Sequence, residues 1–377
     1  MRALFIILTD HPGGSERVTF GLAAELARRP GWSVEVIIVS SQLPVSFSAQ
    51  VLPDNVRVHY GPLRSWHAAF ALLPLRLLFR RFDLIFTTQI YVSALVSLMR
   101  RLQLVRSGAH VVRESASLLD YFAGASPFRK SLIRRLYGCY GGEALIIAQT
   151  RYMADHLRSR LPPRSAQRLR VIPNPVDIEA VREGASAGLG EALRAQLSGG
   201  PNIVVCGRLI EVKQPSLALE AFDLLVHGGC PARLVFVGGG DLEGRLRRDA
   251  QRRGLGDRVL FLGRLNNPYP ALAACQYGLI TSSNEGFPNV ILEMMACGYR
   301  QIVTTPCAGD LDRLPGVTVT KGFGAREIAE ALEQAIASNE DRGPVYKAAA
   351  AKRSMQSCLD DLLAGAYAKS GVLSAVE

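Results

Sequence analysis

The sequence lacks the features that commit a chain to disulfides, a structural metal or a membrane span. Its seven cysteines (139, 206, 230, 275, 297, 307 and 358) show no Cys-x-x-Cys or Cys/His ligand spacing. We interpret them as small buried thiols in a reducing compartment. The uncharged stretch at residues 84–99 is shorter than the ~20 apolar residues that a spanning helix needs. The N-terminal apolar run is short and meets Asp10 at once, so we expect a core strand there and no secretory signal.

Length and composition favour two globular domains. The chain has 377 residues, of which 48% are hydrophobic and 20% charged, enough for two cores. The net charge of +11 is unevenly divided. Residues 1–170 hold 23 Lys and Arg against 10 Asp and Glu, whereas residues 171–377 hold 21 against 23. The excess positive charge therefore belongs to the first half.

Two segments of the first half combine this positive charge with aromatic and aliphatic residues. They are "LRSWHAAFALLPLRLLFRR" (63–81) and "FRKSLIRRLYGCY" (128–140). Basic amphipathic segments of this kind are typical of proteins that lie on anionic membrane surfaces. The alternative is a solvated basic face beside a core helix. No helix-turn-helix, zinc-finger or RNP-like pattern accompanies the charge, so nucleic acid is not expected as a partner.

Short β-branched runs alternate with helical patterns along the whole chain, which predicts parallel sheets. The first series of strands is predicted at residues 3–8, 34–39, 83–88, 110–115 and 144–149, and the second at 202–209, 232–240, 258–263, 277–283 and 300–305. Residues 171–177 and the Gly/Ala/Ser-rich residues 183–200 are predicted as linker. We therefore expect an α/β protein of two Rossmann-like domains with a cleft between them, and a C-terminal helical stretch that packs back on the first domain.

Three motifs follow predicted strands, where ligands of open parallel sheets collect. In "LTDHPGGSERV" (8–18), Gly13 and Gly14 permit close approach to the backbone, and Ser15 is predicted to cap a helix whose amino end attracts anions. The spacing does not fit a dinucleotide fingerprint. In "CGRLIEVKQP" (206–215), Arg208 and Lys213 could grip a diphosphate. Taken singly, each motif is also explained as an ordinary turn or solvated loop.

The third motif, "NEGFPNVILEMMACG" (284–298), places Pro288 inside a helical pattern. Proline suits the first helical turn, so we predict that it starts the helix and that Gly298 ends it. Glu285 and Glu293 then lie beside an anion-attracting helix end. A carboxylate there is costly unless it binds neutral hydroxyls, and a sugar nucleotide offers hydroxyls beside its diphosphate. The alternative is a dipole-favoured acid and a solvated helix face.

At these residues the chain resembles the retaining glycosyltransferases of family 4, which have the fold called GT-B. The glutamates Glu285 and Glu293 match that family's glutamate, seven residues, glutamate motif, and Arg208 with Lys213 matches its "GRL" motif and following lysine. "PNPVD" (173–177) and "GGSER" (13–17) match its interdomain and first-loop motifs.

The resemblance implies a role for each matched residue. Arg208 and Lys213 would neutralise the donor diphosphate and act with Glu285 in catalysis. Glu285 would hold the donor sugar, and Glu293 the ribose. The remaining predicted donor-binding residues are Gly13, Gly14, Gly286, Phe287, Asn289 and Val290. No metal or cofactor is expected, because charge stabilisation and positioning would supply most of the catalysis.

Two positions depart from the family pattern. Many members present a histidine where the fourth strand here ends in "RESAS", so Arg113 and Glu114 are predicted as acceptor-side residues, and His110 as a structural one. The glycine often found after the diphosphate lysine is Gln214.

The implied protein is a metal-independent hexosyltransferase of polysaccharide biosynthesis. It would use a UDP sugar in preference to a GDP sugar, act on a lipid-linked or cell-surface glycan, and lie in the cytoplasm on the inner face of the cell membrane. The expected domains are 1–172 on the acceptor side, 173–352 on the donor side and a returning segment, 353–377. The alternatives are a nucleotide-sugar epimerase and a non-catalytic nucleotide-sugar-binding membrane-surface protein.

Overall fold

The structure, a computed structural model, describes residues 1–9, 13–40, 52–63, 65–115 and 126–368. The chain divides into two compact units. Unit 1 comprises Met1–Pro175 together with the chain from Met355 onward, and unit 2 comprises Val176–Ser354. Within the described residues no helix is long and apolar enough to cross a bilayer.

Unit 1 is a parallel sheet of seven strands with helices on both faces. In chain order its elements are β1 (Arg2–Thr9), α1 (Gly14–Ala27), β2 (Ser33–Ser40), β3 (Val56–Tyr60), α2 (Trp66–Leu77), β4 (Arg81–Thr88), α3 (Ile90–Arg101), β5 (Arg106–Arg113), α4 (Pro127–Gly138), β6 (Leu145–Ala148), α5 (Arg151–Arg158), α6 (Pro163–Ala166), β7 (Leu169–Val171) and α15 (Met355–Tyr367). The strand order is β3-β2-β1-β4-β5-β6-β7.

Two apolar layers cover this sheet. On one face α1 and α15 bury residues that include Phe20, Leu26, Leu359 and Leu362. On the other face α2, α3 and α4 supply residues such as Leu73, Val96 and Ile133. The predicted C-terminal helix is therefore present and packs against unit 1, as expected for an amphipathic helix that follows the last sheet of unit 2.

Unit 2 repeats the plan with six parallel strands. Its elements are α7 (Ile178–Ser186), α8 (Glu191–Gln196), β8 (Asn202–Cys206), α9 (Pro215–His227), β9 (Arg233–Val237), α10 (Glu243–Arg252), β10 (Val259–Phe261), α11 (Tyr269–Ala273), β11 (Tyr277–Ile280), α12 (Asn289–Cys297), β12 (Gln301–Thr304), β13 (Thr318–Val319), α13 (Ala325–Ala337) and α14 (Gly343–Ala351). The strand order β10-β9-β8-β11-β12-β13 is that of a doubly wound dinucleotide-binding sheet.

The prediction of two parallel-sheet α/β domains is confirmed, and all ten predicted strands lie where the sequence placed them, with somewhat different ends. Three strands were missed: β3, β7 and β13. The predicted linker at 183–200 was wrong, because it contains the end of α7 and the whole of α8. Asp177 caps α7 by accepting a hydrogen bond from the Ala180 N–H at 3.0 Å, which begins a helix within the glycine- and alanine-rich region.

Candidate active site

The strand order of unit 2 reverses between β8 and β11, which pair directly through Tyr277 with Ile203 and Gly278 with Val204. Loops that leave the two strands at such a switch point diverge to opposite sides of the sheet and leave a crevice between them. Arg208 follows β8, and Glu285 follows β11. The fold therefore brings the second and third predicted motifs to the same edge of one sheet.

The loop after β8 continues the ladder beyond the strand. The Gly207 N–H donates to the Val237 carbonyl at 2.9 Å, and the Leu209 N–H donates to the Gly239 carbonyl at 3.0 Å. A Cβ atom on Gly238 would lie 1.9 Å from the Gly207 oxygen, so only glycine allows the two loops to approach this closely. Arg208 is exposed on this tightened loop, where its guanidinium can reach a ligand.

Lys213 ends a 3-10 turn, Glu211–Lys213, whose shape depends on Gln214. Gln214 has φ 46° and ψ 50°, the left-handed conformation that glycine adopts most easily. Gln214, which stands where the family often has glycine, therefore keeps the backbone conformation that glycine favours. Thr281, at the end of β11, donates its hydroxyl hydrogen to the carbonyls of Lys213 at 2.9 Å and Gln214 at 3.0 Å, which ties the turn to the neighbouring loop.

Lys213 and Glu285 form an ion pair that the sequence did not reveal. The Nζ atom of Lys213 lies 2.7 Å from Oε1 of Glu285, and the two side chains are 28% and 13% exposed. The Ser282 hydroxyl donates to the same carboxylate oxygen at 2.5 Å, and the Glu285 N–H donates to the Cys307 carbonyl at 2.7 Å. The carboxylate is thus fixed from several sides, yet both charges stay within reach of a ligand.

The helix α12 begins at Asn289, with Pro288 in the capping position at φ −77° and ψ 95°. Pro288 therefore precedes the helix, one residue earlier than predicted, while its role as a helix starter stands. Phe287 is buried, and the guanidinium of Arg353 covers its ring at 5.5 Å. Gly286, Val290 and Glu293 are half-buried.

At its other end α12 stops as predicted. Gly298 is the capping residue at φ 77°, and its N–H donates to the carbonyls of Met294 and Met295. Both methionines are fully buried. The amino end of α12, with its positive dipole, therefore lies at the same edge as Arg208 and Lys213, where it favours an anion.

In unit 1 the first-loop glycines precede α1. Gly13 is the capping residue and Gly14 the first helical residue, while residues 10–12 of the motif lie outside the described residues. The prediction that Ser15 caps the helix was wrong, because Ser15 lies inside the first turn. Its hydroxyl instead accepts a hydrogen bond from Arg113 Nη1 at 3.3 Å.

Arg113 ends β5 and is 3% exposed. Its Nη2 donates to Asn174 Oδ1 at 2.6 Å, and the Asn174 amide donates to Gln149 Oε1 at 2.9 Å. Burial lowers the pKa of the Arg113 guanidinium to about 10. This guanidinium keeps its charge at neutral pH. Ser15 and Asn174 accept its hydrogen bonds, and the nearby Glu16 carboxylate opposes the lowering of its pKa.

Glu114 is 2% exposed. Its Oε1 accepts the hydroxyl hydrogen of Tyr140 at 2.7 Å. Burial raises the pKa of Glu114 to about 7, although the bond from Tyr140 opposes that shift. A carboxyl group with this pKa is close to half protonated at neutral pH.

His110 lies within β5, not at the end of the predicted strand. It is fully buried, with Nε2 3.0 Å from the Thr87 hydroxyl oxygen. Burial lowers its pKa well below the usual value, so it stays neutral. These contacts support the structural role expected for it.

Gln89 is a candidate that sequence reasoning missed. It follows β4, next to β1 at the switch point of the first sheet, and has φ 65° and ψ 131°, a costly conformation for a residue with a side chain. Its amide donates to Glu16 Oε1 at 3.4 Å. The only sequence signal was a glutamine directly after the strand "LIFTT".

An Asp-x-Asp sequence, Asp310-Leu311-Asp312, escaped the sequence reasoning about metals. Asp310 lies 3.7 Å from the Arg313 guanidinium. Among the residues that the structure describes, no group of three or more His, Cys, Asp or Glu side chains could hold a metal ion. Arg208 and Lys213 are the charged groups at this edge that could hold an anion.

Two family models match the chain, one in each half. The model described as Glycosyltransferase Family 4 matches residues 12–180, and the model described as Glycosyl transferases group 1 matches residues 200–338. The first match begins after β1 and includes β2 to β7, and the second includes β8 to β13 and both motifs of unit 2.

Curated relatives match over shorter stretches. The chain is 30% identical to an N-acetylgalactosamine-N,N'-diacetylbacillosaminyl-diphospho-undecaprenol 4-alpha-N-acetylgalactosaminyltransferase of Campylobacter jejuni, over 38% of this chain and 37% of that protein. It is 29% identical to a GDP-mannose-dependent alpha-(1-6)-phosphatidylinositol dimannoside mannosyltransferase of Mycobacterium tuberculosis, over 40% of this chain and 38% of that protein. The matches thus span less than half the length of these relatives.

Solved structures match over nearly the whole chain. Anabaena HepE in complex with UDP-glucose has a TM-score of 0.74 at 20% identity and covers 97% of this chain and 99% of its own. The lipopolysaccharide outer core galactosyltransferase WaaB has a TM-score of 0.67 at 15% identity, covering 98% of this chain and all of its own. These similarities concern the fold.

Proposed function

The chain belongs to the group 1, family 4 glycosyltransferases of GT-B fold, and from this membership we propose that it is a retaining, metal-independent hexosyltransferase. It moves a hexose or N-acetylhexosamine from a nucleotide-diphosphate sugar to a lipid-linked or cell-surface glycan. The observation that carries the proposal is the pairing of Lys213 with Glu285 at 2.7 Å, at the switch point of a doubly wound sheet. Such a point is where this architecture binds nucleotides.

The charges at this edge suit the leaving group. A departing nucleoside diphosphate gains negative charge as the sugar bond breaks, and fixed cations and a helix amino end stabilise that charge without moving. We assign this role to Arg208, Lys213 and the amino end of α12. Gly286, Phe287, Asn289 and Val290 form that end and supply backbone contacts.

The glutamates suit the neutral parts of the donor. Glu285 is placed to accept hydrogen bonds from sugar hydroxyls, and Glu293 from the ribose. In the ion pair, Lys213 neutralises Glu285 before the donor arrives. A bound diphosphate then competes for the ammonium group, which can contact both anions because it has three donors.

In the retaining reaction the bond between the sugar C1 and the diphosphate oxygen breaks, and its electron pair leaves with the nucleoside diphosphate. The acceptor hydroxyl forms a new bond to C1 on the same face, and its proton passes to the departing diphosphate oxygen. Positioning and charge stabilisation account for the catalysis. Arg113 and Glu114 are buried, so we assign them a positioning role on the acceptor side. The assignment of Gly13 and Gly14 to the donor stays a prediction.

The relatives favour a lipid carrier in the acceptor, since the names of two of them contain a diphospho-undecaprenol and a phosphatidylinositol. We propose a UDP sugar in preference to a GDP sugar, in line with HepE, which was solved with UDP-glucose, although the mycobacterial relative depends on GDP-mannose. A lipid-linked acceptor places the enzyme in the cytoplasm, on the inner face of the cell membrane.

Calorimetric titration tests the donor site directly. The protein is titrated with the diphosphates of uridine, guanosine and adenosine and with their common sugar conjugates. We expect UDP compounds to bind, and Arg208→Ala and Glu293→Ala each to weaken binding by roughly 1–3 kcal/mol, as loss of a charge-assisted or buried hydrogen bond does. Arg245→Ala on α10, a 64% exposed arginine, is the control and should bind as the parent does.

The outcomes separate the alternatives. If no nucleotide binds, or if both site variants bind as tightly as the control, the donor site is wrong. Selective binding of GDP would mean that the donor base is guanine, and would leave the assignment of the donor site unchanged. Product analysis addresses the epimerase alternative, because an epimerase converts its nucleotide sugar without an acceptor. Transfer that disappears in Glu285→Ala would exclude a non-catalytic binding protein.

A further inference from the structure

Each of the two basic amphipathic segments of unit 1 contains an exposed phenylalanine, and the two rings, Phe79 and Phe128, lie at opposite edges of its sheet. The first includes α2 and runs on through Phe79 into β4, so Phe79 precedes a strand. The second is α4, which follows β5 and leads to β6. In a parallel sheet a crossover helix runs from the carboxyl edge back to the amino edge. The first turn of α4 is therefore at the carboxyl edge, and Phe79 is at the amino edge.

Contacts of the Phe79 loop confirm its position. The Phe79 N–H donates to the Leu104 carbonyl at 2.6 Å, and the Arg106 N–H donates to the Arg80 carbonyl at 3.0 Å. Leu104 and Arg106 lie at the start of β5. Arg80 forms an ion pair with Glu35 at 2.6 Å, and Arg2 forms another with the same carboxylate at 3.0 Å. Part of the positive charge at the amino edge is therefore neutralised by acids of the same unit.

The helix α4 has two distinct faces. Its inner face buries Ile133 and Tyr137. Its outer face exposes Phe128, at 77%, and Leu132, at 37%, four residues apart and therefore on one side of the helix. Its sequence, "PFRKSLIRRLYG", contains four cations and no acid. An exposed aromatic ring on a helix whose charged residues are all cations is typical of segments that bind an anionic bilayer surface.

We propose that the outer face of the first turns of α4, carrying Phe128 and Leu132, docks the protein on an anionic lipid bilayer, and that the Phe79 loop does not. This inference rests on the proposed function, since a lipid-linked acceptor must reach the carboxyl edge of the unit 1 sheet. Ligands of parallel sheets bind at that edge. Arg113 and Glu114 follow the strand that leads to α4, so docking by α4 brings the bilayer to the acceptor side. Docking by Phe79 would hold it at the far edge.

The chain contains a matched pair of probes. Phe79 and Phe128 are both 77% exposed, both in unit 1 and both next to cations, but at opposite edges. The full-length protein and the variants Phe128→Asp and Phe79→Asp are floated with vesicles of phosphatidylcholine alone or with phosphatidylglycerol added. Melting followed by tryptophan fluorescence verifies that each variant is folded.

We expect the parent to float with anionic vesicles only and to be released at about 0.5 M salt, where charges are screened within a few ångströms. Phe128→Asp should bind anionic vesicles at least roughly tenfold less, because it replaces an inserting ring by a repelled charge. Phe79→Asp should bind within about twofold of the parent. Release of Phe79→Asp with retention of Phe128→Asp overturns the proposal, as does equal binding of both variants. Binding to phosphatidylcholine alone, or no vesicle binding at all, overturns it too.

A nucleotide titration of the same preparations distinguishes this failure from that of the proposed function. Nucleotide binding without vesicle binding removes only the docking surface. Vesicle binding that depends on Phe128, in a protein that binds no nucleotide, removes the transferase assignment and keeps the surface.

Discussion

The charged side chains at the carboxyl edges of the two sheets differ in their exposure and in the partners they contact. In unit 2 the cation and the carboxylate pair with each other, Lys213 with Glu285, and both stay partly exposed. In unit 1 the cation and the carboxyl group, Arg113 and Glu114, are adjacent in sequence and almost fully buried. Neutral side chains satisfy both of them: Ser15 and Asn174 for the cation, and Tyr140 for the carboxyl group.

This difference distinguishes charged side chains that are available to bind a ligand from buried ones that have a structural role. A partly exposed ion pair contributes little to stability, so its position at a switch point favours a binding role. Burial of a charge costs free energy and shifts its pKa. Burial raises the pKa of Glu114. Arg113 donates a hydrogen bond to Asn174 and so fixes the chain near Pro175, where the first segment of unit 1 ends.

The largest expected effect concerns the ion pair between Lys213 and Glu285. Glu285→Gln should lower the initial rate of sugar transfer by roughly 10²–10³-fold, because an amide cannot replace a carboxylate that is aligned with the donor. The free energy of unfolding should change by less than about 1 kcal/mol. The rate is measured with the donor that the titration identifies, and stability by chemical denaturation followed by far-UV circular dichroism.

Asp223→Asn provides a matched control for that variant. Asp223 is 16% exposed and pairs with Arg253 at 2.6 Å, which makes it a similar ion pair on α9 of the same unit. Its loss should leave the transfer rate unchanged. Equal rate losses in the two variants would mean that Glu285 acts through the stability of unit 2 and not through the donor.

The next effect concerns the buried carboxyl group. The folded-state pKa of Glu114, about 7, lies above the value of 4.5 for an unperturbed glutamate, so its contribution to stability is full below pH 4.5 and is lost as the pH rises through 7. Glu114→Gln, which stays neutral and keeps an oxygen for the Tyr140 bond, should be more stable than the parent at pH 8. The gain should be up to about 3 kcal/mol, and it should vanish near pH 4.5.

Tryptophan fluorescence reports this unit selectively. The chain has two tryptophans, Trp32 and Trp66, and both belong to unit 1. Denaturant titrations at pH 5 and pH 8, compared between parent and variant, measure the difference. A stability difference that is the same at both pH values would show that the pKa of Glu114 is not raised in the folded protein.

The sequence was sufficient for the architecture, because the architecture rests on local patterns, and the donor-side assignments made from the same patterns stay predictions. Apolar runs and helix signals are read within a few residues, and the "EGFPNVILEMMACG" stretch contains its own start and stop. β7 and β13 were missed because they are "LRV" and "TV", without the apolar run "RVLFLG" that revealed the equally short β10. In β3 the alternation in "VRVHY" was the available signal, although its arginine and histidine obscured it.

The contacts between distant segments were not predictable from local patterns. The pair of Lys213 with Glu285 depends on β8 and β11 being neighbours, which follows from the strand order and not from either motif. The burial of Arg113 and Glu114 likewise depends on Asn174 and Tyr140, which come from later elements. Single-sequence patterns do not encode such pairings, so the polar "RES" at a strand end gave no sign that its arginine and glutamate are buried.

The smallest expected effect compares backbone strain at the two edges. Gln89 in unit 1 and Gln214 in unit 2 both have positive φ, and among the described residues the Oε1 atom of each is buried without a hydrogen-bond partner. Gln214 lies in the left-handed helical region, whereas Gln89, at ψ 131°, lies outside it and is more strained. Replacement by glycine should therefore stabilise unit 2 by about 0.5 kcal/mol at Gln214 and unit 1 by about 1 kcal/mol at Gln89, after the entropy of glycine in the unfolded chain offsets part of the relief.

Denaturation followed by tryptophan fluorescence measures the free energy of unfolding of the Gln89→Gly variant. For Gln214→Gly the same quantity is measured by far-UV circular dichroism. If Gln89→Gly destabilises its unit, the bond from its amide to Glu16 outweighs the strain. Gln89 is then held in place by its side chain, as Arg113 is. If Gln89→Gly stabilises unit 1 while lowering the transfer rate, the strained backbone at Gln89 contributes to function on the acceptor side. Both units would then keep a strained backbone at the edge of the sheet where the ligand binds.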